Sequence, residues 1–554
     1  MTRDGATSTG SRVDTMRWTP DVTLRRSGGG RIVLGGSPLK LFRLSAAGAR
    51  VLDRALAGSL ERPSNQQIAL VDRFVDAGVI HPEPPSRSGP LRVGDVTVVV
   101  PAREAQSRLD DLIPKIWATT PGLREVIVVD DGSSVPLTVE HLVEPELEPE
   151  LELELEPEPE PEPELEPDAS ESSATLSSSG SPLTLLRRSE SGGAGVARND
   201  GMALVDSSVV AFIDVDCEPT PGWLDPLLDQ FVDPRVVVVA PRIVAVDHKA
   251  ALDHSPALDH SPALDRGACF AHRADVDHWA VGVLGKLQSQ VRRILLAYER
   301  ERSPLDLGAE PARVAPGTRV AYVPSAALVV RTESLRSVGG FDDALRVGED
   351  VDLIWRLVEA GERVRYVPKA EVGHEVRPSL RALVKQRFAY GTSAAPLAIR
   401  HGRAVAPVVM SPWSLVVWAL TAAGLPGPAT GVAVATTVQL RGKLPDVATR
   451  EVVRLGIGGH LGAGRQLARA VVRVWLPAAA VGSLVSRRVR RVSGAAVLWS
   501  IAASGERTPQ GVALALLDDL AYGAGVWRGC FKVRSFRALL PRCAASASSD
   551  HASV

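Results

Sequence analysis

Residues 211–216 read Ala-Phe-Ile-Asp-Val-Asp, and well downstream the chain reads Arg346-Val347-Gly348-Glu349-Asp350. The first is an apolar strand, Val209–Ile213, that ends in two carboxylates one residue apart. Alternation along an extended segment points Asp214 and Asp216 the same way. One carboxylate can bind a hard cation, and the other can hold a ribose or a metal-bound water. Asp-x-Asp is common by chance; its place after a buried strand is what favours function. Glu349-Asp350 opens an amphipathic helix with Val351, Ile354, Trp355 and Val358 on one face and Gly361 as its stop. A carboxylate there can take a proton from an attacking hydroxyl, or merely complement the helix dipole. A strand, Arg363–Val367, follows, and then a loop histidine, His374, which is either a late metal or phosphate contact or a structural group.

Two further strand ends carry candidates. Val96–Val100 stops at Pro101, followed by Arg103 and Glu104. Glu125–Val129 stops at Asp130-Asp131-Gly132-Ser133. Open α/β sheets place their ligand crevice at such ends. An aspartate there can accept hydrogen bonds from a base and a ribose, although Asp131-Gly132 also reads as a turn. Gly195-Val196-Ala197-Arg198-Asn199 looks like the start of a helix beneath a nucleotide, with Arg198 either available to a diphosphate or on the surface.

These residues need a scaffold, and apolar strands alternating with helices give one. Val96–Val100, Leu109–Trp117, Glu125–Val129, Val209–Ile213 and Val236–Val239 read as strand, helix, strand, strand, strand of an α/β domain with a parallel sheet and helices on its faces, assigned to residues 91–400. Ahead of it, 17–85 forms a small winged-helix-like unit behind a disordered leader, 1–16. That unit holds a strand at 41–44, a helix capped by Ser45, a second helix through Ile68 and Val75, and a strand from Val79. Two inserts interrupt the sheet region. Residues 144–181 begin with glutamate at every even position and are expected to be disordered. Residues 251–265 repeat Ala-Leu-Asp-His-Ser-Pro; His254 and His260 are read as a surface-loop duplication rather than metal ligands. Residues 401–545 form a helical, basic region. Its stretch 404–440 has no charged residue but is broken by Pro426 and Pro428. A hairpin of two short helices at a membrane surface, or the same helices packed on the sheet domain, fits that pattern.

The net charge of −2 conceals a strong asymmetry. Residues 144–171 hold fourteen acids and no base, whereas 375–554 hold 23 Lys+Arg against 7 Asp+Glu. A basic region of this kind expects an anionic partner. Four cysteines without metal-ligand spacing fit a reducing compartment. The N-terminal MTRDGATSTGSRVDT has no apolar run of a secretory signal, so a cytoplasmic location, at the inner face of the membrane, is expected.

Taken in order, PAREA, VVDDGS, GVARNDG, AFIDVD, GGFDDALRVGEDVDL and RVRYVPKAEVGHE resemble family 2 glycosyltransferases of the GT-A fold over roughly residues 95–390. The resemblance implies an inverting enzyme with a nucleotide-sugar donor and Mg or Mn. Pro101, Arg103, Glu104, Asp130, Asp131, Arg198 and Asp214 would then bind the donor nucleotide. Asp216 would hold the metal, with His374 as a late ligand, and Asp350 would be the catalytic base with Glu349 beside it. Gln386-Arg387 corresponds to an acceptor or phosphate motif, but the family's Gln-x-x-Arg-Trp is absent, because Phe388 follows directly. The unit at 17–85 resembles winged-helix domains that present precursor peptides. The whole chain is similar to the branch of the family that adds β-linked hexose, glucose, to a peptide-derived redox cofactor. That implies a peptide-derived acceptor or its carrier peptide as partner; the basic, apolar C-terminal region adds an anionic membrane surface, and no nucleic acid is expected. The competing readings are a cell-envelope polysaccharide or lipid glycosyltransferase, a nucleotidyltransferase, and a non-catalytic peptide-binding scaffold.

Overall fold

The structure is a computed structural model that describes residues 16–142, 182–247, 289–377 and 379–543. The leader, the acidic insert and the repeat loop with His254 and His260 lie outside the described residues. In the N-terminal unit β1 (Arg17–Pro20) pairs antiparallel with β5 (Ile80–Glu83). Beside this pair, β2 (Arg25–Ser27), β3 (Ile32–Gly35) and β4 (Lys40–Arg43) form a three-stranded meander. Helix Ala46–Leu56 starts at Ser45, whose side chain accepts from the Gly48 N–H. Helix Asn65–Asp76 starts with a capping box between Ser64 and Gln67. Val33, Leu52, Phe74 and Ile80 are fully buried between them.

The large sheet has nine strands: β6 (Val96–Ala102), β7 (Glu125–Asp130), β8 (Leu183–Arg187), β9 (Val209–Ile213), β10 (Cys217–Pro219), β11 (Val236–Val246), β12 (Ala312–Val314), β13 (Ala327–Arg331) and β14 (Arg363–Glu375). Their order is β10-β14-β11-β13-β9-β6-β7-β8, with β12 also on β14. The sheet is mixed: β6 is parallel to β7 and β9, and β13 runs antiparallel between β9 and β11. Both faces are covered, so the strands read as unbroken apolar runs. Val98 and Val100 point into one core, and Val99 points into the other. From β6 the chain winds outward through β7 and β8, then returns to β9 on β6's other side. That reversal opens a crevice at the carboxyl ends of β6, β7 and β9.

Strand β14 runs further than its sequence indicated. Its pairing with β11 is interrupted between Pro241 and Arg242 and resumes from Glu371. Pro368, which has no N–H to donate, lies in the skipped stretch. His374 is therefore on a strand, paired with Cys217 of β10, and not in a loop.

The N-terminal unit docks along the first half of this strand. Arg363, at the start of β14, meets Asp72 and Asp76 of that unit, and Arg235 reaches Asp72 at 2.8 Å. Lys369, midway along β14, also reaches Glu83 of the unit at 3.1 Å, so the junction extends from Arg363 to a point only about 17 Å of extended strand from His374.

The C-terminal region consists of helices, chiefly 412–422, 426–443, 449–473, 476–485, 487–504 and 509–533. The last packs onto helix Leu380–Thr392 at near-backbone contact. A Cβ on Gly391 would fall 2.0 Å from the Tyr522 carbonyl, and one on Gly525 2.0 Å from that of Phe388. No single described helix is long and apolar enough to cross a membrane. One pair, 449–473 with 476–485, passes by length and composition together, bent by 85°.

Candidate active site

Each strand end at the crevice is held by its own loop chemistry. After β6, Glu104 adopts a left-handed backbone, with φ 50°. Its N–H donates to Ser133 Oγ at 2.9 Å, and its carboxylate accepts from the Ser134 N–H at 2.7 Å. The Ser134 bonds lower the pKa of Glu104. Arg103 Nη1 donates to Ser191 Oγ at 2.9 Å. Asp130, at the end of β7, is fully buried and accepts from the Ser133 and Leu137 N–H groups. Asp131 accepts from Ser191 Oγ at 2.7 Å and from the N–H groups of Gly192 and Gly193 at 2.8 and 2.9 Å. Burial would raise the pKa of Asp131; these donors outweigh it and lower the value. The carboxylates of Asp130 and Asp131 are thus occupied in shaping the crevice wall. Gly132 has no room for a side chain, since a Cβ would sit 2.7 Å from the Ser191 nitrogen.

The extended alternation expected for Asp214 and Asp216 does not hold. Strand β9 ends at Ile213, and the Cys217 N–H bonds back to the Asp214 carbonyl at 2.9 Å, so the segment turns. The two carboxylates face different partners. Asp214 accepts from Arg198 Nη2. Asp216 lies 3.4 Å from His374 Nε2 and 3.4 Å from Arg377 Nη1. Burial opposes ionisation of Asp216, but His374 and Arg377 prevail and its pKa is lowered.

Arg198 is 1% exposed and joins the two acidic sets. Its Nη1 reaches Glu349 at 3.3 Å while Nη2 holds Asp214, and its guanidinium lies 5.5 Å from the Phe341 ring centre. The turn before Glu349 depends on Gly348, with φ 82°, where a Cβ would press on Ser393. Burial, and then Asp350 next door, push the Glu349 carboxyl up to about 7. Asp350 is also raised by burial, although the Val351 N–H and Arg198 oppose this. The pair therefore holds a proton near neutrality, in the range where a general base is effective.

Asp216, Cys217 and His374 offer ligand atoms within 4.8 Å of one another, the one such cluster among the described residues. Asp216 and His374 fit a divalent cation, whereas the Cys217 thiol, pushed up by burial, donates to the Ala326 carbonyl at 3.2 Å. His374 Nδ1 lies 3.0 Å from the Glu375 carbonyl, which leaves Nε2 facing Asp216. Gln386 and Arg387 part ways. With its carbonyl turned toward Arg377, the Gln386 amide accepts from Arg377 Nη2 at 2.8 Å and from the Tyr390 hydroxyl at 2.9 Å. Arg387 points to the last helix, where Nε donates to Asp518 at 3.0 Å, and both its Nη atoms are buried without a partner.

Cys217 and Arg377 were not singled out from the sequence. Cys217 directly follows the Asp-x-Asp, and Arg377 comes three positions after His374, so proximity in sequence was the available signal.

Comparison with known proteins places the chain in a family. The profile described as "Glycosyl transferase family 2" matches residues 168–270, and "Glycosyl transferase family group 2" matches 302–441. The pre-mycofactocin glycosyltransferase of Mycobacterium tuberculosis (strain H37Rv) is 35% identical over 540 residues, 94% of this chain and 96% of its own. Polypeptide N-acetylgalactosaminyltransferase 15 of Mus musculus is 28% identical over 195 residues, 35% of this chain and 26% of its own. Among solved structures, a mannosyltransferase from Pyrobaculum calidifontis in complex with GDP-Man and Mn2+ aligns with a TM-score of 0.38 at 14% identity, covering 83% of this chain and 92% of its own. By near full-length similarity to the Mycobacterium tuberculosis protein, this chain belongs to the family 2 glycosyltransferases.

Proposed function

We propose that this glycosyltransferase moves glucose from a nucleoside diphosphate donor to a hydroxyl of a peptide-derived acceptor, with inversion, and builds a short β-linked glycan on mycofactocin. The observation that carries the reading is the knot of Arg198 with Asp214 and Glu349-Asp350, set beside Asp216 and His374. The name of the near full-length relative supports the acceptor.

In this reading Asp350 takes the proton of the acceptor hydroxyl as it attacks the anomeric carbon, and Glu349 keeps that carboxyl poised by sharing its proton. Asp216 and His374 would hold a divalent cation, Mg or Mn. Bound there, the cation would neutralise charge on the departing diphosphate. Asp214 keeps Arg198 neutralised. Pro101, Arg103 and Glu104, with the loops that Asp130 and Asp131 shape, form the nucleotide wall. Gln386 steers Arg377, and Arg387 ties the site to the last helix.

The test is incubation of the purified chain with UDP-glucose, metal and the peptide-derived acceptor, followed by mass spectrometry. An acceptor heavier by one or more hexoses, with UDP released, supports the reading. Release of pyrophosphate would signal nucleotidyl transfer. Glucose delivered only to an envelope lipid or polysaccharide would replace the acceptor assignment.

A further inference from the structure

About half of the exposed large apolar side chains among the described residues fall between Trp413 and Leu498. Leu484 is 81% exposed, Val485 86% and Leu498 70%, far beyond what a scattered surface leucine needs. They are not randomly spread. On helix 426–443, Val434 and Val438 are one turn apart; on helix 449–473, Val453, Ile457 and Leu461 form a stripe at the same spacing. Gly456 faces Thr437 and His460 bonds Thr436, so the two helices pack as an antiparallel hairpin. One step beyond that contact on each helix brings Val438 and Ile457 to the same side of the pair.

Charge sets the character of this lobe. Residues 404–505 carry eleven Lys+Arg and two Asp+Glu. Arg487, Arg488, Arg490 and Arg491 follow Val485 at once; all four are exposed and have no ion-pair partner among the described residues. An apolar tip beside free arginines is the pattern of an interfacial segment, with the apolar groups among acyl chains and the cations at the headgroups. A second copy is a poor occupant. A two-fold contact would put the same patch against itself and bring like charges together. For crossing the bilayer, no single described helix has the length and composition, and the one pair that passes, 449–473 with 476–485, is bent by 85°.

We propose that the helical lobe 412–504 is a membrane-docking surface, which rests on anionic lipid through the tip at 481–491 without spanning it. The proposal is independent of the acceptor assigned above.

The test is co-sedimentation of the full chain with vesicles of phosphatidylcholine alone and of phosphatidylcholine mixed with phosphatidylglycerol, at low and high salt. The expected result is preference for the anionic vesicles, weakened by salt. Replacing the four arginines by glutamine lowers partition roughly tenfold or more and removes that preference. Leu484→Asp with Val485→Asp lowers binding to both vesicle types while donor hydrolysis, read in parallel, is unchanged. Two results overturn the proposal. One is equal recovery in the supernatant with every vesicle. The other is a dimer by light scattering without lipid that the Leu484→Asp, Val485→Asp pair converts to monomer, which makes a second copy the occupant.

Discussion

Three carboxylates, Asp214, Glu349 and Asp350, share one buried guanidinium, Arg198. One cation cannot offset three anions in a site with little water, so protonation must take part. This gives a pH prediction with a definite sign. Burial raises both carboxyls of the pair, Glu349 to about 7, so the fully ionised pair appears only as pH rises past the Glu349 value. kcat/KM should therefore climb along an acid limb well above the ordinary carboxylate range. The same shift makes folding hold protons that the unfolded chain has lost, so stability falls as pH rises from the ordinary carboxylate range through about 7. Glu349→Gln removes the neighbouring charge. It should move the acid limb to lower pH and flatten the loss of stability, as read from pH–rate profiles and urea unfolding. An unshifted limb would detach Glu349 from the catalytic proton. A second pair of variants separates the two acidic sets. Asp216→Ala should weaken metal-dependent donor binding as well as turnover, whereas Asp350→Asn should bind donor and fail to turn over. Calorimetry showing equal loss of donor affinity in both would refute that division.

Elements decide what the residues can reach, and here the sequence was only partly legible. Strand ends were readable because β6, β7 and β9 are continuous apolar runs that stop at polar residues. The turn at Asp214–Cys217 was not, since period-two reasoning applies only while the chain stays extended. The continuation of β14 to Glu375 was hidden by Pro368, which reads as a strand breaker but is accommodated by a bulge. Arg198 looked free because its partner Glu349 is 151 positions away. The same strand geometry bears on the N-terminal unit. It docks along β14 from Arg363 to Lys369, beside the site and not inside it. From that position its expected part is to retain the distant part of a long acceptor or carrier peptide. Removing residues 1–85 should raise KM for a peptide-linked acceptor several-fold and leave KM for a short acceptor and donor hydrolysis unchanged. The cut would also bare Arg363 and Arg235, so a folded, monomeric variant by circular dichroism and light scattering is the necessary companion measurement. Equal kinetics with both acceptors would reduce the unit to a buttress for β14.

At the scale of the whole molecule, two opposite charge distributions share one chain. The segment 144–168 carries thirteen carboxylates, and the helical lobe carries the exposed arginines. Long-range fields of this kind affect association more than folding. The segment joins Leu142 to β8, whose pairing with β7 begins at Leu183 and Val126. Shortening that connection by 25 residues changes loop-closure entropy by only about 1 kcal/mol, in the stabilising direction. Deleting 144–168 should thus leave the melting temperature and kcat/KM for the donor nearly unchanged. It should also turn the net charge from −2 to +11. With the intramolecular anion gone, the arginine tip faces lipid without a competitor, and vesicle binding should tighten and persist to higher salt. The measurement is the salt midpoint of co-sedimentation with phosphatidylglycerol vesicles, compared between the full chain and the deletion. A lower midpoint in the deletion would mean that the acidic segment itself assists docking, and a lost melting transition would mean that it packs against the fold.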